Sequence, residues 1–206
     1  MKKLTLPIPD DEIRALKVGD PVSLSGVMMT GRDEVHKWMI DTFIKKTRDP
    51  QEDDEFVYSA IKPVLNGGAI YHCGPVVSGL DTGDYAFVAA GPTTSIREEP
   101  YQGDVMHHFN LKAVIGKGGM GAKTLAACSE VPGVYLHAIG GAASLIAQSV
   151  KNVREVFKLE FGVPEAMWVI EVEDFPAVVT MDSHGGSLHA EVEQRSTEIL
   201  HDLLKA

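Results

Sequence analysis

Short apolar runs closed by glycine recur along the chain. Residues 21–27 (PVSLSGV) read as a strand after a turn at 17–20. Residues 69–73, 85–90, 113–115, 134–139, 168–172 and 177–181 read as further strands, the last two separated by 173–176. Several of these runs end directly on a glycine: 85–90 on Gly91, 113–115 on Gly116, and 134–139 on Gly140.

Helical spacing follows the first strand. Val35, Trp38, Met39 and Phe43 fall on one face at i, i+3, i+4 and i+8. Thr30 with Asp33 three residues on resembles a capping box. A small-residue helix is expected over 142–150 and a C-terminal helix of mixed polarity over 188–204. Residues 45–66 break the alternation: KKTRDPQEDDEF is a charged run with a central Pro50, most simply a solvated loop or insertion. Strand, glycine turn and helix recur often enough to predict an α/β fold: one domain over 1–206 with a charged insertion near 45–60.

Composition narrows the partners. With 206 residues, 44% of them hydrophobic, the chain is long enough for a proper core. Its 19 Lys+Arg against 29 Asp+Glu give a formal net charge of −10, which offers no electrostatic footprint for nucleic acid or an anionic membrane. No apolar run approaches the ~20 residues of a membrane helix. The N-terminus is too polar and proline-interrupted for a signal peptide. Two cysteines, Cys73 and Cys128, suit a reducing cytoplasm, and they cannot supply the thiolates of a [4Fe–4S] centre.

Against that acidic background, cations beside glycines stand out. GPTTSIR at 91–97 puts Thr93, Thr94, Ser95 and Arg97 beside Gly91. GKGGMG at 116–121 puts Lys117 between Gly116 and Gly118. Arg32 sits at a strand-to-helix junction, where free backbone N–H groups favour an anion. Arg grips a carboxylate with two parallel hydrogen bonds and Lys supplies a mobile charge, so converging loops of this kind would hold a small dicarboxylate. The bland alternatives are surface ion pairs for the cations, a helix cap for Thr93, and a structural role for His36. GKGGMG matches the dinucleotide pattern GxGxxG, but no acidic residue closes the following strand.

LSGVMMTGRDEVHK at 24–37, AGPTTSIR at 90–97, IGKGGMG at 115–121, AIGGAASLIA at 138–147 and IEVEDFPAVV at 170–179 resemble the β subunit of class I fumarases and L(+)-tartrate dehydratases. In single-chain members the same sequence forms the C-terminal domain. The resemblance implies a swivelling β/β/α domain, with a mixed sheet and flanking helices. It implies an α subunit carrying a [4Fe–4S] cluster, no cofactor in this chain, and homo-oligomeric contacts besides. The implied reaction is reversible hydration of a small dicarboxylic acid: fumarate to (S)-malate first, with L(+)-tartrate or a mesaconate-type acid as alternatives. It makes Arg32, Arg97 and Lys117 substrate-binding residues and Thr93 the proton-transferring one, with His36, Thr94, Gly116 and Gly118 in support. Ile96 and Glu98-Glu99 depart from the usual pattern. A non-catalytic binding or assembly module remains the reading of another class.

Overall fold

Alternating burial along short strands sorts the core into two layers. The computed structural model describes residues 1–205. Its strands are β1 Lys2–Thr5, β2 Pro21–Thr30, β3 Ala69–Tyr71, β4 Val76–Ser78, β5 Ala86–Ala89, β6 Ala113–Gly116, β7 Val134–His137, β8 Val150–Phe157 and β9 Met167–Met181. Its helices are α1 Asp10–Arg14, α2 Asp33–Met39, α3 Asp54–Leu65, α4 Glu99–Phe109, α5 Ala122–Glu130, α6 Ala143–Ala147 and α7 Leu188–Lys205. A π-helical turn, Ile40–Ile44, extends α2, and a 3-10 turn, Ser95–Glu98, leads into α4. Among the described residues no helix is long and apolar enough to cross a membrane.

Strands β1, β2, β3, β6 and β7 run parallel, side by side in that order. The long β9 runs antiparallel to both β2 and β7, so β2, β3, β6, β7 and β9 close into a ring. One face of the ring strands carries Leu24, Tyr71, Ile115, Leu136 and Phe175. The other carries Ile70, Val114 and Tyr135 against apolar residues of α2, α3, α4 and α5. This period-2 division is what a strand dictates, and the fold is α/β with a mixed sheet and flanking helices.

Several expectations need correction. Residues 167–181 form one strand, not two. The apparent break at 173–176 is a bulge facing a register shift at Leu24/Gly26, with Asp174 at φ 51° and Gly26 at φ 120°. Ser23 Oγ donates to Asp174 Oδ1 at 2.9 Å and the Asp174 amide to Ser25 Oγ at 3.1 Å, which satisfies the bulge locally. The small-residue helix stops at Ala147 and strand β8 follows, unforeseen. The capping box does not form: Arg32 is the N-cap of α2, and Thr30 Oγ1 instead accepts from the Trp168 amide at 3.1 Å.

The charged run is also more than a solvated loop, because it enters α3 through a buried acid. Asp54, fully buried, accepts from Trp38 Nε1 (2.9 Å), Arg48 Nη2 (2.7 Å) and the Gln51 amide (2.8 Å), and it pairs with Lys158 Nζ at 2.6 Å. Burial alone would raise its pKa; those donors outweigh it and hold the carboxyl below the usual range. Asp54→Ala would leave the Lys158 ammonium, itself only 8% exposed, with just a 3.5 Å contact to the exposed Glu160. Urea denaturation at neutral pH should show a loss of about 3–5 kcal/mol, whereas a loss below about 1 kcal/mol would fit an ordinary solvated segment.

Candidate functional site

The four parallel ring strands end on one side of the ring; the Arg32 and Lys117 loops leave β2 and β6 there, and the Gly91 loop arrives from β5 of the separate β4–β5 pair. After β2, Gly31 donates its amide to the Tyr71 carbonyl at 3.0 Å, which ties the start of the Arg32 loop to the end of β3. Arg32 Nη1 pairs with Glu165 Oε1 at 2.9 Å and reaches the Pro164 carbonyl at 3.4 Å. It lies directly over Gly74, where a Cβ would stand 2.7 Å from Nη1. Arg97 leaves the 3-10 turn, is exposed, and pairs with Asp33, the residue after Arg32. The two arginines are thus joined through neighbouring residues of one junction.

Thr93 and Lys117 are brought together by backbone pairing. Residues 93–95 lie like a short extra strand between the ends of β3 and β6. The Thr93 amide donates to the His72 carbonyl (2.7 Å), the Lys117 amide to the Thr93 carbonyl (3.1 Å), and the Ser95 amide to the Lys117 carbonyl (3.0 Å). Thr94, exposed, bridges Lys117 in parallel register. Thr93 Oγ1 donates to the His72 carbonyl at 3.0 Å. It caps no helix: the N-cap of the 3-10 turn is Thr94, without a side-chain bond. The half-buried Lys117 Nζ makes no ion pair among the described residues. Gly118 turns the chain at φ 82° behind it.

Beneath the loops lies a buried polar layer. His36 Nδ1 bonds the Arg32 carbonyl at 2.8 Å, and Nε2 of His36 and of His72 each lie 2.9 Å from Gln102 Oε1. His72 Nδ1 bonds Ser95 Oγ at 2.8 Å, which also accepts from the Tyr135 hydroxyl at 2.9 Å. Burial pushes both imidazoles down, His72 to about 3 with His36 beside it, so both are neutral near pH 7. The Gln102 amide nitrogen has no partner. Rotating that amide by half a turn gives each neutral imidazole a donor from one NH2 group, and this orientation is the chemically consistent one. His36 therefore supports the Arg32 backbone from below.

Sequence reading missed the acids that hold the cations. Burial raises Glu165, against the opposing pull of Arg32. Glu98, 1% exposed, is pushed up to about 8 by burial and by its hydrogen bond with Asp33. Glu99 has a separate, structural role: its carboxylate accepts from the amides of Gly121 (2.8 Å) and Lys123 (2.9 Å) and from Thr124 Oγ1 (2.6 Å), capping α5. The signal for Asp33 was its place beside Arg32, and for Glu98 its place beside Arg97 and its departure from the family pattern; Glu165 had no local signal beyond its charge.

Residues 2–192 match the family described as the fumarase C-terminus. The chain belongs to that family. It is 53% identical over 197 residues to a Geobacillus stearothermophilus protein provisionally named a class I fumarate hydratase, covering 96% of this chain and 35% of that protein. It is 38% identical to a Methanocaldococcus jannaschii protein provisionally named the β subunit of L(+)-tartrate dehydratase, covering 94% and 93% of the two chains. The L(+)-tartrate dehydratase β subunit of Escherichia coli is 37% identical, with 93% and 88% covered.

This chain's own residues do not suit an iron–sulfur cluster. Cys73 and Cys128 are buried in different hydrophobic clusters, and burial pushes each thiol up to about 12, far from the thiolate a cluster needs.

The close approach of the loops makes one residue decisive. A Cβ at Gly116 would stand 1.9 Å from Ser95 Oγ. Gly116→Ala should therefore cost about 1–3 kcal/mol in denaturant unfolding and shift the amide NMR signals of residues 93–95. An unperturbed 93–95 segment would contradict this packing.

Proposed function

We propose that this member of the fumarase C-terminus family is the substrate-gripping component of a hydro-lyase that reversibly hydrates a small dicarboxylic acid, with fumarate and (S)-malate as the first candidates. The observation that carries the reading is the assembly of three cation-bearing loops, Arg32, Arg97 and Lys117, at one end of the parallel strands, with Thr93 hydrogen-bonded to the Lys117 backbone. The 53% identity to a relative named fumarate hydratase supports fumarate, and the relatives named L(+)-tartrate dehydratase support tartrate as the alternative.

The chemistry asked of this chain is binding and charge stabilisation. Removing a proton from the carbon beside a carboxylate drives negative charge onto that carboxylate. Cations already in position stabilise it without reorganisation. Arg32 and Arg97 offer planar forks for the carboxylates, and Lys117, free of an acidic partner among the described residues, can follow the developing charge. Thr93 donates its proton to the His72 carbonyl, so to take a proton from the substrate carbon it would first pass its own to a carboxylate of an acidic neighbour or of the companion. It is the proposed proton-transferring residue, acting with help from an acidic neighbour or the companion.

The companion is an α subunit, and it is where the [4Fe–4S] cluster of the resemblance would sit. Relatives named β subunits are close to this chain in length, whereas the relative named fumarate hydratase is nearly three times as long, which supports a division of one enzyme between two chains.

Two measurements test the reading. Assembled anaerobically with a companion α chain, this protein should hydrate fumarate faster than it dehydrates L-tartrate, and alone it should do neither. Robust turnover by the isolated chain would overturn the division. In the assembled enzyme, Arg97→Lys or Lys117→Met should cost about 2–4 kcal/mol in kcat/KM. Thr93→Val should abolish turnover while Thr93→Ser retains it, with each variant losing no more than about 0.5–1.5 kcal/mol of stability. A Thr93→Val enzyme within a few-fold of wild type would remove the threonine from proton transfer.

A further inference from the structure

The Asp33–Glu98 pair leaves a polar debt that one proton resolves. Asp33 Oδ1 and Glu98 Oε2 are both buried without a partner when each group is counted as a carboxylate. A proton carried by Glu98 and shared with Asp33 would give both orphaned oxygens a partner, and two carboxyls can bond only if one of them is protonated. Asp33 also holds Arg97, so it is the anion of the pair and Glu98 the acid. Burial alone would raise Asp33, but the bonds from Glu98 and Arg97 outweigh it and keep Asp33 below its ordinary value.

We propose that Glu98 is a positioning residue for substrate binding: as a neutral acid it donates to Asp33, fixes the carboxylate that orients Arg97, and leaves the cation cluster with positive charge to offer a dicarboxylate. The inference rests on the reading of Arg97 as a substrate contact. The groups facing Glu98 from the surrounding elements are Asp33 from α2, Arg97 from its own turn, His72 after β3, and Tyr135 from β7. His72 Nδ1 stands 4.0 Å from Glu98 Oε2 but is committed to Ser95, and its ring is neutral, so it cannot compensate a charge on Glu98. Ionised, Glu98 would join Asp33 and Glu165 as a third carboxylate set against Arg32, Arg97 and Lys117, cancelling the cluster's charge.

Burial and the contact with Asp33 push Glu98 up to about 8 from its ordinary 4.5. Its folded pKa is the higher one, so the stability its proton contributes is complete below about 4.5 and is lost as pH rises through about 8. Glu98→Gln keeps the shape and a donor for Asp33 and removes the titration. The melting temperature of the variant should therefore gain on wild type as pH rises from 5 through 8.

The experiment has two arms. Carboxyl-carbon NMR of the full chain should show Glu98 titrating near 8, and a midpoint near 4.5 overturns the proposal. In the enzyme assembled with its α chain, KM for fumarate should rise roughly tenfold or more above that midpoint, as expected for an added charge near the site, with kcat changing less. Glu98→Gln should flatten that rise. An unchanged rise in the variant overturns the role of Glu98. If wild type binds no dicarboxylate at any pH, the functional reading fails and this inference with it, whereas the other adverse outcomes strike Glu98 alone.

Discussion

The pairing of β9 with both β2 and β7 is the constraint on which the rest depends. Parallel strands joined by helices would otherwise form an open sheet whose edges spread the loops apart. Because β9 hydrogen-bonds along β2 from Pro21 to Met29 and meets β7 from Tyr135 to His137, the ends of β2, β3, β6 and β7 are drawn together at one end of the ring. The bulge at Asp174 bends β9 enough to serve both neighbours. The segment leading into β9 also carries Glu165, so the strand that closes the ring brings in the partner of Arg32.

Closure leaves little room for misplacement, and the polar layer below the loops uses that tightness. Gly116 lets Ser95 approach β6, Ser95 holds the His72 ring, and Gln102 links His72 to His36 beneath the Arg32 carbonyl. A buried network of this kind is costly when half satisfied and rigidifying when complete. Here it ties the loops after β2, β3 and β5 to one another through side chains from α2 and α4. Each of those loops is short, yet none is independent.

The legible part of the chain was what depends on local sequence. Short apolar runs identified β2, β3, β6 and β7, and glycine beside a cation identified the Arg32, Arg97 and Lys117 loops. Closure was not legible, because the pairing of β2 with β9 joins residues some 150 apart and the bulge in β9 has the composition of a turn. Nor was α3, whose charged start depends on Lys158 and Trp38 receiving Asp54 from elsewhere. Thr93 matched a helix cap locally, but pairing with His72 and Lys117 draws its segment into the sheet before the helical turn begins.

The acids around the arginines explain how an acidic protein can keep cations ready for an anion. A free guanidinium on a mobile side chain loses rotamer entropy when it binds, and a charge surrounded by water must be desolvated. Glu165 and Asp33 hold Arg32 and Arg97 near the loop ends in advance, so that ordering belongs to folding instead of to ligand binding. The arrangement works only if the holding acids are fewer than the cations they hold. Under the proposed function Lys117 would supply the excess, and a neutral Glu98 would preserve it. Arg97 is exposed and its ion pair therefore weak in water, which would suit the proposed exchange of an internal carboxylate for one on a ligand. The more enclosed Arg32–Glu165 pair, seated against Gly74 and Pro164, is the fixed member against which that exchange is made.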